Sequence, residues 1–378
     1  MTAANVKKTR VSKSSAAKIA GAYGFSQIEN IYITQKDKDS ANTIAREYDS
    51  LPNRDGEEKI SLLRFYDEER MDKLSWPTAV FREEYSSRGG LIFHMDIIGC
   101  GKSIAEAIVI KTACEILKEY GEQQFCLRVN SHGDRESFNR FVRELRNFYS
   151  KKKTWLHQSC LNKSREDFFA PIYCAHKECS EACAEVPTPV CFLSEPARLH
   201  FKEVIEHIES MRIPYLLSER FFGPAGIASH TVFDIKDNKG TLLAKGFRYN
   251  HLSRRIGFRR EIPALGATIS LKNIQKTKDN TSSQQKIYLI QLGNEAKRIS
   301  LNLLEEFRKM DIFVAHNLAY DKLSEQIERA ESLQIPYLVI VGQKEALDGT
   351  VLIRDREKSF QETLPAATVP MYLKKLLA

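Results

Sequence analysis

The hydrophobic pattern changes period once along the chain, at the polar segment TKDNTSSQQK (277–286), and this change limits the fold more than any other feature. Downstream of it, strands alternate with helices: KIYLIQLG, EAKRISLNLLEEFRKM, DIFVAHN, YDKLSEQIERAESLQ, PYLVIVG, TVLIRD and MYLKKLL. Ile299, Leu303, Leu304 and Phe307 recur at helical spacing, and Gly293 and Gly342 close strands. This order predicts a small α/β domain with a largely parallel sheet. Upstream, strands at IENIYIT, LIFHMDIIG, CLRVNS, PYLLSE, HTVFDIKD, TLLAKGFRY and ALGATISLK are backed by helices, with a hairpin across Asn238-Lys239-Gly240. Hairpin-linked strands backed by helices predict an antiparallel or mixed sheet, so the fold class is α+β.

Four segments follow from this patterning: a basic disordered tail (1–18), a core (19–275) with a Cys-rich insertion at about 131–191, a linker (276–285) and the α/β domain (286–378). The formal charge of +8 is uneven. Residues 1–18 hold five Lys or Arg and no acid, whereas residues 284–378 carry thirteen basic and thirteen acidic side chains. The tail reads either as a solvated arm or as one that attracts phosphate. No window approaches the roughly 18 apolar residues of a membrane span. Nor does the N-terminus resemble a secretory signal, so the expected location is the cytoplasm, with cysteines reduced. Cys100, Cys114 and Cys126 sit in or beside apolar runs, where a thiol packs as a small hydrophobe.

Two basic clusters suit RNA. KGFRYNHLSRRIGFRR (245–260) holds six Lys or Arg, no acid, and Phe247, Tyr249 and Phe258 between them. Aromatics among cations suit unstacked bases and phosphates, which makes Arg254, Arg255, Arg259 and Arg260 candidate contacts. RFVRELRNFYSKKK adds Lys151, Lys152 and Lys153 on a helix. A solvated helix face and a core hairpin are the alternatives. In the insertion, Cys174, Cys179, Cys183 and Cys191 offer four thiolates within eighteen residues, with Cys160, His157 and His176 nearby. Structural zinc and free reduced thiols both fit this spacing.

The order of motifs resembles the histidyl-tRNA synthetase family. FLSEPARLHFKEVIEHIESMRIPYLLSE followed by HTVFDI is similar to the stretch leading into that family's histidine-binding loop. KGFRYNHL lies where the family has Gly-Gly-Arg-Tyr-Asp-Gly-Leu, and IPALGATISLKNI where it has its third class II motif. VNSHGDRES resembles the element that opens the family's insertion, and residues 286–378 resemble its anticodon-binding domain. The resemblance implies a class II synthetase-like antiparallel sheet, ATP with Mg²⁺ as cofactor, tRNA as partner and a homodimer. No membrane or DNA partner is implied.

By resemblance, Phe81, Arg82, Glu83 and Glu84 form the second motif, with Arg82 toward the ATP α-phosphate and Glu84 toward the adenine edge. Arg88 and Lys272 complete the ATP set, and Gly246, Arg248 and Tyr249 fall in the substrate pocket. Fixed guanidinium groups suit this reaction because negative charge builds on phosphate oxygens as pyrophosphate departs. Several catalytic positions depart from the pattern. The arginine of the histidine loop falls at Gly223, within FFGPAGIASH, and that of the third motif falls at Asn273. Phe247 is expected to narrow the pocket, the first-motif proline falls near Ile31, and the substrate-reading segment is LLRFYDEE, without Pro or Gly. Losing one such arginine costs about 2.7–4 kcal/mol of transition-state stabilisation.

Three functions follow. One is a non-aminoacylating paralogue that binds tRNA or other RNA or acts as a regulatory subunit. Another is a divergent histidine–tRNA ligase using Arg82, Arg220, Arg248 and Lys272. The third is a regulatory subunit of a histidine-biosynthesis enzyme.

Overall fold

Ser14 caps the first helix: its hydroxyl accepts from the Ala17 N–H at 2.9 Å, and Ala16, Ala17, Ile19 and Ala20 behind it are buried. The computed structural model describes residues 14–47, 54–71, 77–85, 89–164, 169–174, 176–218, 220–272, 286–358 and 360–377. The expected disordered tail is therefore too long at its inner end. An alanine stripe carries residues 15–18 into helix α1 (Ser15–Ala22). Residues 1–13, Arg88, Asn273, the linker 276–285 and the side chain of Lys153 lie outside what is described.

After α1 come β1 (Ser26–Gln27), α2 (Gln35–Arg46), α3 (Arg54–Glu68), β2 (Thr78–Tyr85) and β3 (Leu91–Ile98). The chain continues through α4 (Ile104–Glu119), β4 (Phe125–Ser131), α5 (Arg135–Lys151), α6 (Gln158–Lys163), α7 (Lys177–Ala182) and α8 (Glu195–Ser210). It then forms β5 (Tyr215–Leu217), β6 (Ser229–Asp237), β7 (Leu242–Arg248), α9 (Leu252–Arg255) and β8 (Ala264–Leu271). These strands make one eight-stranded sheet in the order β1-β2-β3-β8-β7-β6-β4-β5. Only the β1–β2 and β4–β5 pairs are parallel. In the β6–β7 hairpin, Gly240 takes the left-handed conformation (φ 81°), while the Asp237 carboxylate accepts from the N–H groups of Lys239 and Thr241.

Alternation along the strands gives the sheet two unlike faces. Phe81, Phe93, Met95, Leu265, Ile269, Phe233 and Leu127 turn toward α1, α4 and α8 and are buried. On the other face, strand register lines up Arg82, His94, Thr268, Lys245, Asp234 and Arg128 in one row across six strands.

The C-terminal part comprises β9 (Ile287–Gln291), α10 (Asn294–Lys309), β10 (Val314–His316), α11 (Leu323–Ser332), β11 (Tyr337–Val341) and α12 (Gln343–Asp348). It ends with β12 (Thr350–Asp355), β13 (Phe360–Pro365) and α13 (Val369–Leu377). Its sheet runs β10-β9-β11-β12-β13, parallel for the first three strands and antiparallel at β12 and β13. β13 has no strong apolar run because it is an edge strand whose residues are all at least partly exposed. This part docks on the back of the large sheet. The Tyr23 hydroxyl donates to Glu305 at 2.7 Å, Arg298 pairs with Glu206 at 2.7 Å, and Arg308 reaches Glu115 at 3.3 Å. Among the described residues, no helix is long and apolar enough to cross a membrane.

Candidate functional site: a charge-balanced sheet face

Helix α3 lies across the polar face of the large sheet. Its Ile60, Leu63 and Tyr66 pack with Val80, Ile98, Phe247, Tyr249 and Ala264, and this apolar seam fixes its position. The segment LLRFYDEE (62–69) is therefore mostly helix, with Leu62 and Leu63 buried, rather than a substrate-reading loop. The N-terminal half of α3 faces the strands with charge. Arg54 holds Glu84 through two hydrogen bonds of 2.8 and 3.0 Å, and Glu58 accepts from Arg82 at 3.3 Å. Lys59 bonds Asp96 at 2.5 Å, and Asp55 accepts from Lys245 at 2.5 Å. Asp96 also accepts from the Tyr249 hydroxyl at 2.9 Å. Gly266 on β8 makes room for the Lys59–Asp96 pair, since a Cβ there would lie 1.8 Å from Asp96 Oδ1 and 2.4 Å from Lys59 Nζ.

Four cations on this face thus meet four carboxylates. His94, in the middle, adds no charge. Burial, aided by Arg82, Lys59, Arg54 and Lys245, pushes its pKa down to about 2. Arg82 is only 6% exposed.

Arg248 is a correction. It was expected in the substrate pocket, yet it projects from the opposite face of the sheet and is fully buried. Its guanidinium holds both carboxylate oxygens of Glu106 on α4 and donates to the carbonyl oxygens of Cys100 at 2.7 Å and Lys102 at 3.2 Å. His200 Nε2 lies 2.7 Å from the same carboxylate. Burial opposes ionisation of Glu106, but Arg248 and His200 more than offset it and hold the carboxyl below its ordinary range. Arg248 therefore ties α4 to β7 and reaches no pocket. Tyr249 is on the α3 face but fully buried. Gly246 borders a cleft, while a Cβ at that position would strike Phe233 on the back face at 2.4 Å.

That cleft, of about 460 Å³, lies between the α3 N-terminus, the sheet and the insertion, and Asp55, Arg128, Tyr173, Phe222, Asp234 and Lys245 line it. Phe247 lines it as well. Of the three cations that line it, Arg128 and Lys245 are paired with Asp234 and Asp55, and Lys236 is the third. At Gly223, where resemblance expects an arginine, a Cβ would lie 2.6 Å from Ala228 Cβ and 3.0 Å from Val232 Cγ1, so the backbone there has no space for a long side chain. Arg220 and Lys272 are exposed, Lys272 just past the end of β8.

The basic clusters divide. Arg254, Arg259 and Arg260 are exposed, but Arg255 is drawn into structure by Glu47 at 2.5 Å and the Gly226 carbonyl at 2.8 Å. Lys152 is bound to Glu185 and lies over the Trp155 ring, whereas Lys151 is exposed. Arg255 and Arg135, at the start of α5, line one small pocket, and Lys151 ends the same helix. At 1.5 Å rise per residue, about 24 Å separates the two clusters along α5. Of the cysteines proposed for zinc, Cys183 is buried with its Sγ 3.5 Å from the Pro171 carbonyl, and Cys191 is exposed beside Thr188. Neither stands with Cys174 and Cys179, which instead converge with Cys160 and His176.

Sequence reasoning missed Arg54, Asp55, Glu58 and Lys59. The signal available was their i, i+1, i+4 and i+5 spacing, which places two cations and two carboxylates on one side of a helix end.

Comparison with known proteins gives a consistent result. Residues 286–376 match the family described as "Anticodon binding domain". A histidine–tRNA ligase of Aquifex aeolicus is 24% identical over 294 residues, covering 76% of this chain and 73% of the relative. One from Thermosynechococcus vestitus is 26% identical over 268 residues, covering 69% of this chain and 62% of the relative. The crystal structure of apo Staphylococcus aureus histidyl-tRNA synthetase aligns with 94% of this chain and 93% of its own at 18% identity, with a TM-score of 0.49. The motif order, the C-terminal match and the two ligase relatives agree: the chain is similar over most of its length to histidine–tRNA ligases, and its C-terminal part is of the anticodon-binding kind.

Proposed function

We propose that this chain is a non-aminoacylating member of the family that binds tRNA. The supporting observation is the self-neutralised sheet face: Arg82, the group resemblance aims at the α-phosphate, is buried against Glu58. Freeing it for a triphosphate breaks its buried contact with Glu58, which then keeps only the more exposed Arg54 at 3.0 Å, and disrupting such a buried pair costs up to about 3–5 kcal/mol. ATP with Mg²⁺ would have to meet that cost with Arg54, Lys59 and Lys245 also occupied. The histidine loop supplies no cation to help, because Gly223 has no room for one.

RNA binding rests on other surfaces. The C-terminal part is of the anticodon-binding kind, and Arg254, Arg259, Arg260 and Lys151 are exposed cations on the core. A homodimer, as in the resemblance, belongs to the same reading. The test measures tRNA retardation in a native gel alongside charging of tRNA with radiolabelled histidine. A salt-sensitive shift with charging at background is expected; efficient charging, or no shift at low salt, overturns the proposal.

A further inference from the structure

Outside the sheet face, four soft donors meet within the insertion. Cys160 on α6, Cys174 and His176 just before α7, and Cys179 on α7 bring three sulfurs and one imidazole nitrogen within 4.8 Å of one another. Cys160 Sγ lies 2.9 Å from Cys174 Sγ and 3.7 Å from His176 Nδ1, and Cys174 Sγ lies 2.9 Å from that same nitrogen. We propose that these four side chains bind one zinc ion as a Cys₃His site that holds the insertion together.

Tetrahedral zinc with Zn–S bonds of about 2.3 Å sets its sulfurs about 3.8 Å apart, so the four donors reach that geometry with shifts of about 1 Å. The surroundings suit thiolates. The His157 backbone N–H donates to Cys179 Sγ at 3.2 Å, and the His176 N–H to Cys174 Sγ at 3.3 Å. Such outer hydrogen bonds orient ligands and spread the charge of a thiolate. The His157 ring stacks on that of His176, with centroids 4.1 Å apart and planes 9° from parallel, which holds the imidazole with Nδ1 toward the sulfurs. Three thiolates and one imidazole are a donor set that selects zinc over the hard cations, which prefer oxygen.

The insertion also has a physical need for a cross-link. From Lys153 to Phe192, the described secondary structure consists of helical pieces of 3–6 residues, none long enough to hold by itself. The proposed ligands sit on separate pieces, so one ion ties α6, the turn after Tyr173 and α7 at a single point. Binding displaces the thiol protons into solvent, and its free energy adds to that of folding. It also reaches the cleft. Tyr173, adjacent to Cys174, accepts a hydrogen bond from the Phe222 N–H at 3.2 Å, and Phe169 stacks on Phe222 with centroids 4.4 Å apart. The metal thereby braces the cleft wall formed by the loop that contains Gly223.

The test uses the full-length protein, purified in reductant without added metal and analysed for zinc by plasma mass spectrometry. About one zinc per chain is expected, lost in Cys174→Ser and in His176→Ala and kept in Cys191→Ser. Should the first two variants fold poorly, cobalt(II) titration of the metal-stripped wild type decides: saturation at one equivalent with the visible bands of a tetrahedral thiolate site supports the proposal. Zinc no higher than the buffer blank with no cobalt spectrum, a Cys160–Cys174 disulfide in peptide mapping, iron in place of zinc, or full zinc content in Cys174→Ser each overturns it.

Discussion

Arg82 on β2 donates its Nη2 hydrogen to Glu58 on α3 across 3.3 Å, and both side chains are less than one-tenth exposed. A residue that resemblance directs at a nucleotide is held by the protein's own helix. In the Glu58→Ala variant, Arg82 stays buried without its carboxylate, so we expect a loss of about 3–5 kcal/mol. Urea unfolding measures it. The double variant Glu58→Leu with Arg82→Met, which removes both charges, should recover most of that loss; equal losses in single and double variants would show that the pair is not the cause.

Gly266→Ala should be destabilising by about 1–3 kcal/mol, since the new methyl group meets the Lys59–Asp96 pair at less than contact distance. Thermal unfolding of Gly266→Ala beside Gly21→Ala, where nothing lies within 4 Å of the added carbon and φ is negative, separates the clash from the general effect of replacing a glycine.

Acid should weaken the fold well above the carboxylate range. Burial pushes the pKa of His94 down to about 2 and those of His132 and His207 to about 4. Unfolded, each takes up a proton below about pH 6.5. Folded values lie below unfolded ones, so this stability is fully present above about pH 6.5 and declines as pH falls toward 4. The slope approaches about 1.4 kcal/mol per pH unit for each histidine. Urea midpoints at pH 7.5 and pH 5 check this, and equal midpoints would contradict it.

Arg254→Ala with Arg259→Ala should weaken tRNA binding and flatten its dependence on salt, by about 0.7–0.9 in log–log slope for each lost phosphate contact. Arg255→Ala should instead lower stability, because its guanidinium joins Glu47 to the Gly226 carbonyl. Filter binding over a salt series together with melting curves separates the two.

What was legible in the sequence was mostly what local pattern determines. Alternation in LIFHMDIIG and HTVFDIKD marked the strands, and the break at 277–286 marked where the sheet type changes. β13 was missed because an exposed edge strand needs no apolar alternation. Arg248 was misplaced for a different reason. A one-residue step along a strand moves a side chain to the other face, and motif similarity does not say which face is which. The partnership of α3 with β2, β3 and β7 joins residues 24 to 190 positions apart, and nothing local announces it. The insertion's cysteines were visible as a group, but sequence spacing favoured Cys183 and Cys191 where folding brought Cys160 and His176 instead.

Histidine-dependent exchange of labelled pyrophosphate into ATP tests the central claim most directly, since it reads adenylate formation without needing tRNA. With the sheet-face cations internally paired, exchange at the no-enzyme background is expected. Robust exchange that disappears in Arg82→Ala would contradict the account, because Arg82 would then be stabilising a phosphate rather than Glu58.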